Sequence, residues 1–321
     1  MADGLLGVPG LQRPIVQAPI GACAGPELVA AVAAAGGLGL FACTWSEPAE
    51  IGAAVAAARG LADGVMGGNL VLRFPIDEQL DALLAAGVEV VTFSWGQPGA
   101  ERVARCHAAG ARVGVQVGTA SAVPAALADG TDLMIAQGVE AGGHVQSTQP
   151  LARLLDAVHE AANGVPLVAA GGLATADDVR AVLDRGAAGA MLGTRFVATA
   201  ESRAHPRYKE LLCAAEADAA ALTLAFDGTW PFGPHRVLRN ATLDRWEAAG
   251  CPWPGSRPGE GDEVVRLAGG GALPRYDDAP PLVGDGGDID DACLYAGRGV
   301  GAIADLPPAG DVVRALAIAA R

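Results

Sequence analysis

The chain has 321 residues, 51% of them hydrophobic, so it is long enough for one barrel-sized domain or two ordinary ones. Its 22 basic against 36 acidic residues give a formal net charge of −14, which opposes general binding to nucleic acid or to anionic membranes. The six cysteines include no Cys-x-x-Cys pair, so neither structural zinc nor a disulfide scaffold is predicted. The N-terminus lacks a secretory signal pattern, and together these features indicate a reducing, cytoplasmic setting.

Short apolar runs alternate with alanine-rich amphipathic segments up to about residue 200, which is typical of parallel strands joined by crossover helices. Strands are predicted to begin near Pro14, Leu38, Val65, Val88, Ala111, Asp132, Pro166 and Ala188. Helices are predicted over residues 26–35, 47–59, 76–86, 99–109, 120–129, 151–162 and 176–185. Glycines fit the ends of these helices at Gly36, Gly60, Gly87, Gly110, Gly130, Gly164 and Gly186.

Eight successive units favour an α/β fold of the closed (β/α)8 TIM barrel type, because closure removes unpaired sheet edges. An open doubly wound sheet is the alternative. We predict a barrel over residues 1–200 and an appended helical and irregular subdomain over 201–290, with one or two helices at 208–225. Residues 291–321 are predicted to form a cover loop and a final helix, 311–320, that returns to the barrel.

Glycine-bearing loops follow the last two predicted strands. Gly171-Gly172 comes after the seventh strand, and Gly193-Thr194 comes after the eighth. Glycine lets backbone amides approach an anion closely, a helix amino end adds a favourable dipole, and barrels commonly bind phosphate at these loops. The pair therefore predicts a phosphate cradle, with ordinary turn glycines as the alternative.

One histidine follows the sixth predicted strand, where the segment AQGVEAGGH ends at His144. Imidazole exchanges a proton near neutral pH, so His144 is the best acid or base candidate, and a structural loop histidine is the alternative. The remaining histidines fall on predicted crossover helices or in the appended segment. We expect them to be surface or packing residues: His107, His159, His205 and His235.

Two neutral amides lie near strand ends, Asn69 on the third strand and Gln116 on the fifth. Such amides suit the edge of a heterocycle better than a metal ion, and backbone pairing inside the barrel is the alternative. No metal-ligand spacing occurs in the sequence, which disfavours a metal-dependent barrel enzyme. Cys23 and Cys43 follow the first two strands and are predicted to be buried thiols, while the single lysine, Lys209, lies far from any predicted strand.

A phosphate cradle, neutral amides and one histidine indicate a phosphorylated heterocyclic cofactor, and FMN fits that description. The chain also resembles the nitronate monooxygenase family, formerly called 2-nitropropane dioxygenases, over nearly its whole length. The resemblance rests on PIVQAPI, ELVAAVAAAGGLGLF, Gly68-Asn69-Leu70, AQGVEAGGH, VPLVAAGGLATADDVRAVLDRGAAGAMLGTRF, HRVLRN and LYAGRGVGAIADLPPAGDVV. It implies an FMN-dependent (β/α)8 enzyme that oxidises alkyl nitronates with dioxygen to a carbonyl compound and nitrite.

Carried over by position, the resemblance implies that His144 is catalytic, either deprotonating a neutral nitroalkane or holding the nitronate's negative charge. It also implies three groups of cofactor contacts. Those at the isoalloxazine and its polar edge are Ala18, Pro19, Ile20, Asn69 and Gln116. Those that help to hold the cofactor are Ala141, Gly142 and Gly143, and those at the phosphate are Gly171, Gly172, Gly193 and Thr194.

The chain departs from the family pattern at Ile20, where many relatives have Met, at Val145-Gln146, and at Arg298, where Gln is usual. If the loop around Arg298 covers the cofactor, this side chain would attract an anionic substrate. The partners are then a small-molecule substrate and dioxygen, with neither nucleic acid nor membrane, and homo-oligomerisation stays open. Three alternatives remain: a flavin-dependent enoyl-thioester reductase that uses NAD(P)H, a flavin-free barrel lyase or isomerase acting on a phosphorylated metabolite, and an inactive binding module.

Overall fold

The computed structural model describes residues 5–320, and its central feature is a closed barrel of parallel strands. The strands between residues 15 and 192 are Ile15–Gln17 (β1), Leu38–Ala42 (β2), Met66–Val71 (β3), Val90–Ser94 (β4), Arg112–Val117 (β5), Leu133–Gln137 (β6), Gly143–His144 (β7), Leu167–Ala170 (β8) and Gly189–Leu192 (β9). All except β7 join the barrel, in chain order, and β9 pairs with β1 to close it. The predicted (β/α)8 fold is thereby confirmed.

Helices connect successive barrel strands on the outside, and a further short helix follows the last strand, β9. They are Pro26–Ala34 (α1), Pro48–Leu61 (α2), Asp77–Ala85 (α3), Ala100–Ala108 (α4), Val123–Asp129 (α5), Leu151–Ala161 (α6), Ala176–Leu183 (α7) and the single turn Thr194–Val197 (α8). The predicted end of the second helix at Gly60 is wrong, because α2 continues through Gly60 to Leu61 and the Ala62 N–H still bonds to the Ala58 carbonyl. The other predicted helix-ending glycines all have a positive φ.

Alternation along each strand decides which side chains reach the barrel interior. In β6, Leu133 and Ile135 belong to the interior cluster, whereas Met134 and Ala136 pack with the surrounding helices. A period of two residues therefore turns Gln137 inward at the carboxyl end of β6. The same alternation turns Asn69 of β3 and Gln116 of β5 toward the barrel axis, since their neighbours Leu70 and Val115 join the helix-facing core.

The chain after the barrel begins with Pro206–Ala214 (α9). Of the one or two helices predicted over 208–225, the structure has one, and Ala220–Thr223 (β10) is a strand that pairs with His235–Leu238 (β11). Strand β11 also pairs with β7, so this antiparallel sheet attaches the appended segment to the loop that follows β6. Sequence periodicity could not reveal this, because β10 is short and its partner lies beyond an irregular loop.

Later in the appended segment, the helix Ala241–Ala248 (α10) is followed by a small antiparallel sheet. Its strands are Glu263–Arg266 (β12), Ala272–Pro274 (β13) and Gly286–Gly287 (β14). The last α-helix is Ala309–Leu316 (α11), which lies against α1 and continues as a short 3-10 helix to Ala320. The proposed domain boundaries stay a prediction. Within residues 5–320, no helix is long and apolar enough to cross a bilayer.

Candidate active site

A cavity of about 550 Å³ opens where the barrel strands end, which is the face that carries active sites in (β/α)8 enzymes. Every residue that the sequence analysis assigned to the site lines this cavity: Ala18, Pro19, Ile20, Asn69, Gln116, Ala141, Gly142, Gly143, His144, Gly171, Gly172, Gly193 and Thr194. The structure therefore brings these residues together, while the role of each stays a prediction.

The glycine loops after β8 and β9 present unpaired backbone donors. None of the hydrogen bonds among the described residues uses the N–H of Gly171, Gly172 or Gly193. Gly171 and Gly172 have φ values of 116° and 73°, in the region that favours glycine. Free amides and an open backbone are the donor set that a phosphate requires, so these residues fit a phosphorylated cofactor.

The helix amino end beside the predicted cradle is capped from within the protein. The amino end of α7 is already capped, because the Asp178 carboxylate accepts hydrogen bonds from the backbone N–H groups of Ala174 and Thr175 at 3.0 and 2.8 Å. The Thr175 hydroxyl accepts in turn from the Asp178 N–H at 3.2 Å, which completes a capping box. The N–H groups of Ala174, Thr175 and Asp178 are therefore bonded within the protein and are not donors to the cradle.

The segment Gly297–Gly299 closes over both sets of loops. The Gly297 N–H donates to the Thr194 hydroxyl at 2.9 Å, and the Arg298 N–H donates to the Glu140 carbonyl at 3.0 Å. A Cβ on Gly142 would lie 2.5 Å from the Gly297 nitrogen, so glycine is required for this contact. The backbone of the cover thus borders the cavity, whereas the exposed Arg298 lines an adjoining hollow of about 300 Å³, which Gly171 and Gly172 also border.

Asn69 is held rigidly at the cavity floor. Its side-chain amide donates to the Thr92 carbonyl at 3.2 Å and to the Thr92 hydroxyl at 3.0 Å, and 8% of the residue is exposed. These bonds fix the amide's orientation and leave Oδ1 with only a long contact of 3.5 Å from the Ser94 hydroxyl. Asn69 therefore presents mainly an acceptor to a ligand in the cavity.

Gln146 links the amide of Gln116 to the backbone of the fourth loop. Its Oε1 accepts hydrogen bonds from Gln116 Nε2 at 3.1 Å and from the Trp95 N–H at 3.3 Å. Its own N–H donates to Gln137 Oε1 at 2.8 Å, while Gln137 Nε2 donates to the His144 carbonyl at 3.1 Å. A chain of side-chain amides therefore holds the backbone at His144 and just after it.

His144 occupies β7, where it lies opposite His235 of β11. The loop that leads to it is fixed from behind by Arg236, whose guanidinium donates to the carbonyl of Ala141 at 3.2 Å and that of Val139 at 2.7 Å. Pairing with β11 and anchoring by Arg236 both come from the appended segment. The histidine is consequently held by a strand rather than by a free loop.

The imidazole of His144 lies in an aromatic enclosure. It stacks on Trp230, with ring centroids 4.2 Å apart and planes 19° apart, and the Tyr295 ring is 5.9 Å away. Burial, with a smaller contribution from His235, lowers the pKa of His144 from 6.5 to about 3. Its Nε2 is buried without a hydrogen-bond partner, so the ring is neutral and carries an unused polar atom.

The sequence profile of the family described as nitronate monooxygenase matches residues 4–82 and 73–318. The chain belongs to the nitronate monooxygenase family. Enzymes of this family are flavin-dependent oxidoreductases, and the open glycine loops agree with a flavin that carries a phosphate.

Two curated relatives illustrate the range of this nitronate monooxygenase family. A nitronate monooxygenase of Pseudomonas aeruginosa is 30% identical over 96% of this chain and 97% of its own length. The "(3aS,4S,5R,7aS)-5-hydroxy-7a-methyl-1-oxo-octahydro-1H-indene-4-carboxyl-CoA dehydrogenase" of Mycobacterium tuberculosis is 35% identical over 74% of this chain. The match spans 66% of that dehydrogenase, just under two thirds of its length.

Solved structures share the whole fold. Nitroalkane oxidase from Streptomyces ansochromogenes superposes with a TM-score of 0.77 at 31% identity, covering 96% of both chains. FabK from Thermotoga maritima superposes with a TM-score of 0.77 at 25% identity, covering 98% of this chain and 94% of its own. The barrel and the appended segment are therefore both features of the nitronate monooxygenase fold.

The sequence analysis missed five aromatic residues that line the cavity in this nitronate monooxygenase homologue. Trp45 and Trp95 directly follow β2 and β4, so their position after barrel strands was a signal that could have found them. Tyr208, Trp230 and Tyr295 come from the chain after the barrel, outside the repeating strand and helix units. Their contribution depends on a long-range pairing that composition cannot reveal.

The other singled-out side chains have structural roles. Burial raises the pKa of the Cys23 and Cys43 thiols to about 12, which confirms that these are buried thiols. Lys209 donates to the carbonyls of Thr199 and Ser202 at 2.7 and 2.6 Å, so its ammonium fastens the chain after α8. Of the other four histidines, His107 and His159 are exposed, and His205 is partly buried at the start of α9. His235 is buried and packs beside the site.

Proposed function

We propose that this chain is an FMN-dependent enzyme that oxidises alkyl nitronates with dioxygen to a carbonyl compound and nitrite. The observation that carries the proposal is the neutral imidazole of His144, which lines the same cavity as two loops of free backbone amides. The Pseudomonas nitronate monooxygenase, matched over almost the whole of both chains, supports the substrate class.

The state of His144 favours the nitronate anion over the neutral nitroalkane. Burial keeps the pKa of His144 near 3, and none of the hydrogen bonds of the described residues joins the imidazole to a carboxylate that would strengthen it as a base. A weak base abstracts a carbon-bound proton poorly. A neutral imidazole can still donate one N–H to a nitronate oxygen, so His144 binds and orients the anion through a hydrogen bond.

The glycine loops and the cover account for binding of FMN in particular. The amides of Gly171, Gly172 and Gly193 would hold its single phosphate, and Asn69 and Gln116 would meet the polar edge of its ring. FMN bound there would supply the electron transfer to dioxygen that no amino-acid side chain provides. The protein's part is to position the substrate beside His144 and to keep water from it.

The direct test is an aerobic assay of the flavin-loaded protein with the nitronate of nitroethane, measuring nitrite release and oxygen consumption. We expect both from the nitronate and much less from freshly dissolved nitroethane at the same concentration. Denaturation should release FMN, identified by chromatography. Protein that releases no flavin, or that forms no nitrite from any nitronate, contradicts the proposal.

A second candidate function is oxidation or reduction of an acyl thioester. The specific observation in its favour is that the mycobacterial carboxyl-CoA dehydrogenase is 35% identical, more than the Pseudomonas enzyme, although over a smaller share of this chain. Anaerobic mixing with NADH separates the two. Rapid loss of the flavin's visible absorbance with NADH indicates the thioester chemistry, and loss only with a nitronate indicates the proposed function.

A further inference from the structure

Three tryptophans form a continuous aromatic surface in the cavity, the tryptophan wall, composed of Trp45, Trp95 and Trp230. The Trp230 ring centroid lies 4.7 Å from that of Trp95 and 6.3 Å from that of Trp45. Phe74, which does not line the cavity, packs against Trp45 at 5.3 Å and Trp230 at 5.5 Å. Since Trp230 also stacks on His144, the wall begins at the candidate catalytic imidazole.

Two features distinguish the wall from ordinary core packing. Trp45 is 55% exposed although it lines a cavity, so one side of its indole lies free in the structure. Trp95 has a φ of 60°, a left-handed backbone conformation that bulky side chains rarely adopt and that clusters at functional sites. The bond from its N–H to Gln146 Oε1 holds it in place.

The cavity offers no positive side chain to a charged tail. Among the described residues that line it there is neither Arg nor Lys, and its one carboxylate belongs to Asp278. That carboxylate accepts hydrogen bonds from the Thr229 N–H at 3.1 Å and the Thr229 hydroxyl at 2.8 Å, which fixes the loop beside Trp230. A substrate with a second negative charge would therefore meet repulsion and no ion-pair partner.

The wall also lies apart from the predicted phosphate cradle. In the closed order of eight strands, β4 stands opposite β9, so Trp95 and Gly193 enter the mouth from opposite sides. Trp45 follows β2, which is likewise not a neighbour of β8 or β9. A cofactor phosphate bound at the glycine loops therefore lies across the mouth from Trp95 and does not itself cover the tryptophan wall.

We propose that the tryptophan wall is a substrate subsite that makes this enzyme specific for nitronates whose carbon bears an aromatic or bulky apolar group. This inference rests on the proposed function and names its substrate class. With the nitronate group at His144, the apolar substituent covers the free side of Trp45 and the edge of Trp95. Small nitronates leave the wall uncovered, and nitronates with a carboxylate tail are excluded by charge.

The wall predicts a clear order of substrates. Burial of apolar surface contributes about 25 cal/mol of favourable free energy per Å². Packing a phenyl ring against two indoles should therefore raise kcat/KM roughly tenfold or more. We expect the nitronate of phenylnitromethane to exceed that of nitroethane by at least about tenfold. The dianion of 3-nitropropionate should fall below both, because no cation meets its carboxylate.

Trp45→Ala tests the assignment, with Trp253→Ala as the matched control, since Trp253 is 66% exposed and does not line the cavity. Trp45→Ala should lower the ratio of kcat/KM for the phenyl nitronate to kcat/KM for the ethyl nitronate about tenfold. The control should change neither by more than twofold. Equal losses for both nitronates, or a preference for 3-nitropropionate, would overturn the subsite.

A binding measurement separates failure of the subsite from failure of the proposed function. Nitrobenzene cannot form a nitronate, and without dioxygen nitroethane cannot complete the proposed reaction, so anaerobic calorimetric titration with freshly dissolved nitrobenzene and nitroethane reports recognition without turnover. We expect nitrobenzene to bind at least about tenfold more tightly, and Trp45→Ala to remove most of this difference. Trp45-dependent binding without nitrite from any nitronate would keep the subsite and reject the function. Nitrite release from a nitronate without tighter binding of nitrobenzene would keep the proposed function and reject the subsite.

Discussion

His144 and Trp230 stack with their ring centroids 4.2 Å apart, although 85 residues separate them in the sequence. The contact is built by backbone pairing, because β7 carries the histidine and pairs with β11, which follows the loop that carries Trp230. Trp230 is 7% exposed and therefore shields the imidazole from water. The appended segment thus determines the chemistry of a barrel residue.

Replacing Trp230 with Leu should restore part of the imidazole's basicity. Burial is the main cause of the low pKa of His144, so admitting water should raise that pKa from about 3 toward 6.5 by at least about one unit. Titration of histidine side-chain resonances by NMR measures this, with His144→Gln identifying the signal. The Trp253→Leu variant should leave the pKa unchanged, and an unshifted value in Trp230→Leu would contradict the shielding role.

The lowered pKa of His144 predicts how the free energy of unfolding depends on pH. The folded pKa of His144, about 3, lies below the unfolded value of 6.5, so between these values the unfolded chain binds the extra proton. The stability contribution is complete above pH 6.5 and declines as the pH falls toward 3. Lowering the pH from 6.5 to 5 should cost the wild type up to about 2 kcal/mol more than His144→Gln.

Urea unfolding of both proteins at pH 7.0, 6.0 and 5.0 measures this difference. His235 is also buried with a lowered pKa, and it remains in both proteins, so its contribution cancels in the comparison. Parallel loss of stability in the wild type and the variant would show that His144 is not the group responsible.

Gly172→Val should weaken retention of the flavin. Gly172 has a φ of 73°, and a Cβ there would lie 2.8 Å from the Glu140 Cβ, so the substitution strains the loop and crowds the amides of the cradle. We expect the dissociation constant for FMN to increase at least about tenfold, corresponding to about 1.4 kcal/mol.

Gly164→Val is the matched control for Gly172→Val. Gly164 has a φ of 85° but nothing within 4 Å of its Cβ position, and it lies after α6, away from the strand ends that form the cavity. Both variants should lose about 1 to 3 kcal/mol of stability from backbone strain, and only Gly172→Val should lose flavin affinity. Equal FMN binding by the two variants would place the cradle elsewhere.

Gln146→Leu should loosen the site without removing a residue that meets the reacting atoms. It deletes the acceptor shared by Gln116 Nε2 and the Trp95 N–H, at about 0.5 to 1.5 kcal/mol for each bond. A fall of about 1 to 3 kcal/mol in unfolding free energy and a several-fold weaker FMN affinity are expected. The control variant, Gln97→Leu, loses one exposed hydrogen bond to the Ala122 carbonyl and should change the unfolding free energy and the FMN affinity little. Unchanged stability in Gln146→Leu would argue against the amide chain.

Much of the barrel and part of the site could be predicted from sequence because both depend on local periodicity. Runs of apolar residues placed all eight strands, and strand ends pointed to Asn69, Gln116 and the glycine loops. Competition between nearby groups was harder to foresee, as the capping of α7 by Asp178 shows. A carboxylate three residues into a helix can serve the helix itself rather than leave its amides free.

Long-range pairing accounts for the remaining differences. Trp230 and Tyr295 reach the cavity only because β11 pairs with β7 and Tyr295 forms an isolated bridge with Val237. Nothing in the composition of the appended segment encodes that pairing. The low pKa of His144 follows from the same contacts, so the sequence left its role as base or anion-binding group open.

The most direct test of the whole account is nitrite release in air by the flavin-loaded protein and by His144→Ala, each given the same alkyl nitronate. We predict rapid release by the wild type, and at least about a hundredfold lower kcat/KM in a variant that retains FMN, in keeping with loss of a positioned catalytic imidazole. Full activity in His144→Ala, or no nitrite from the flavin-loaded wild type, would contradict it.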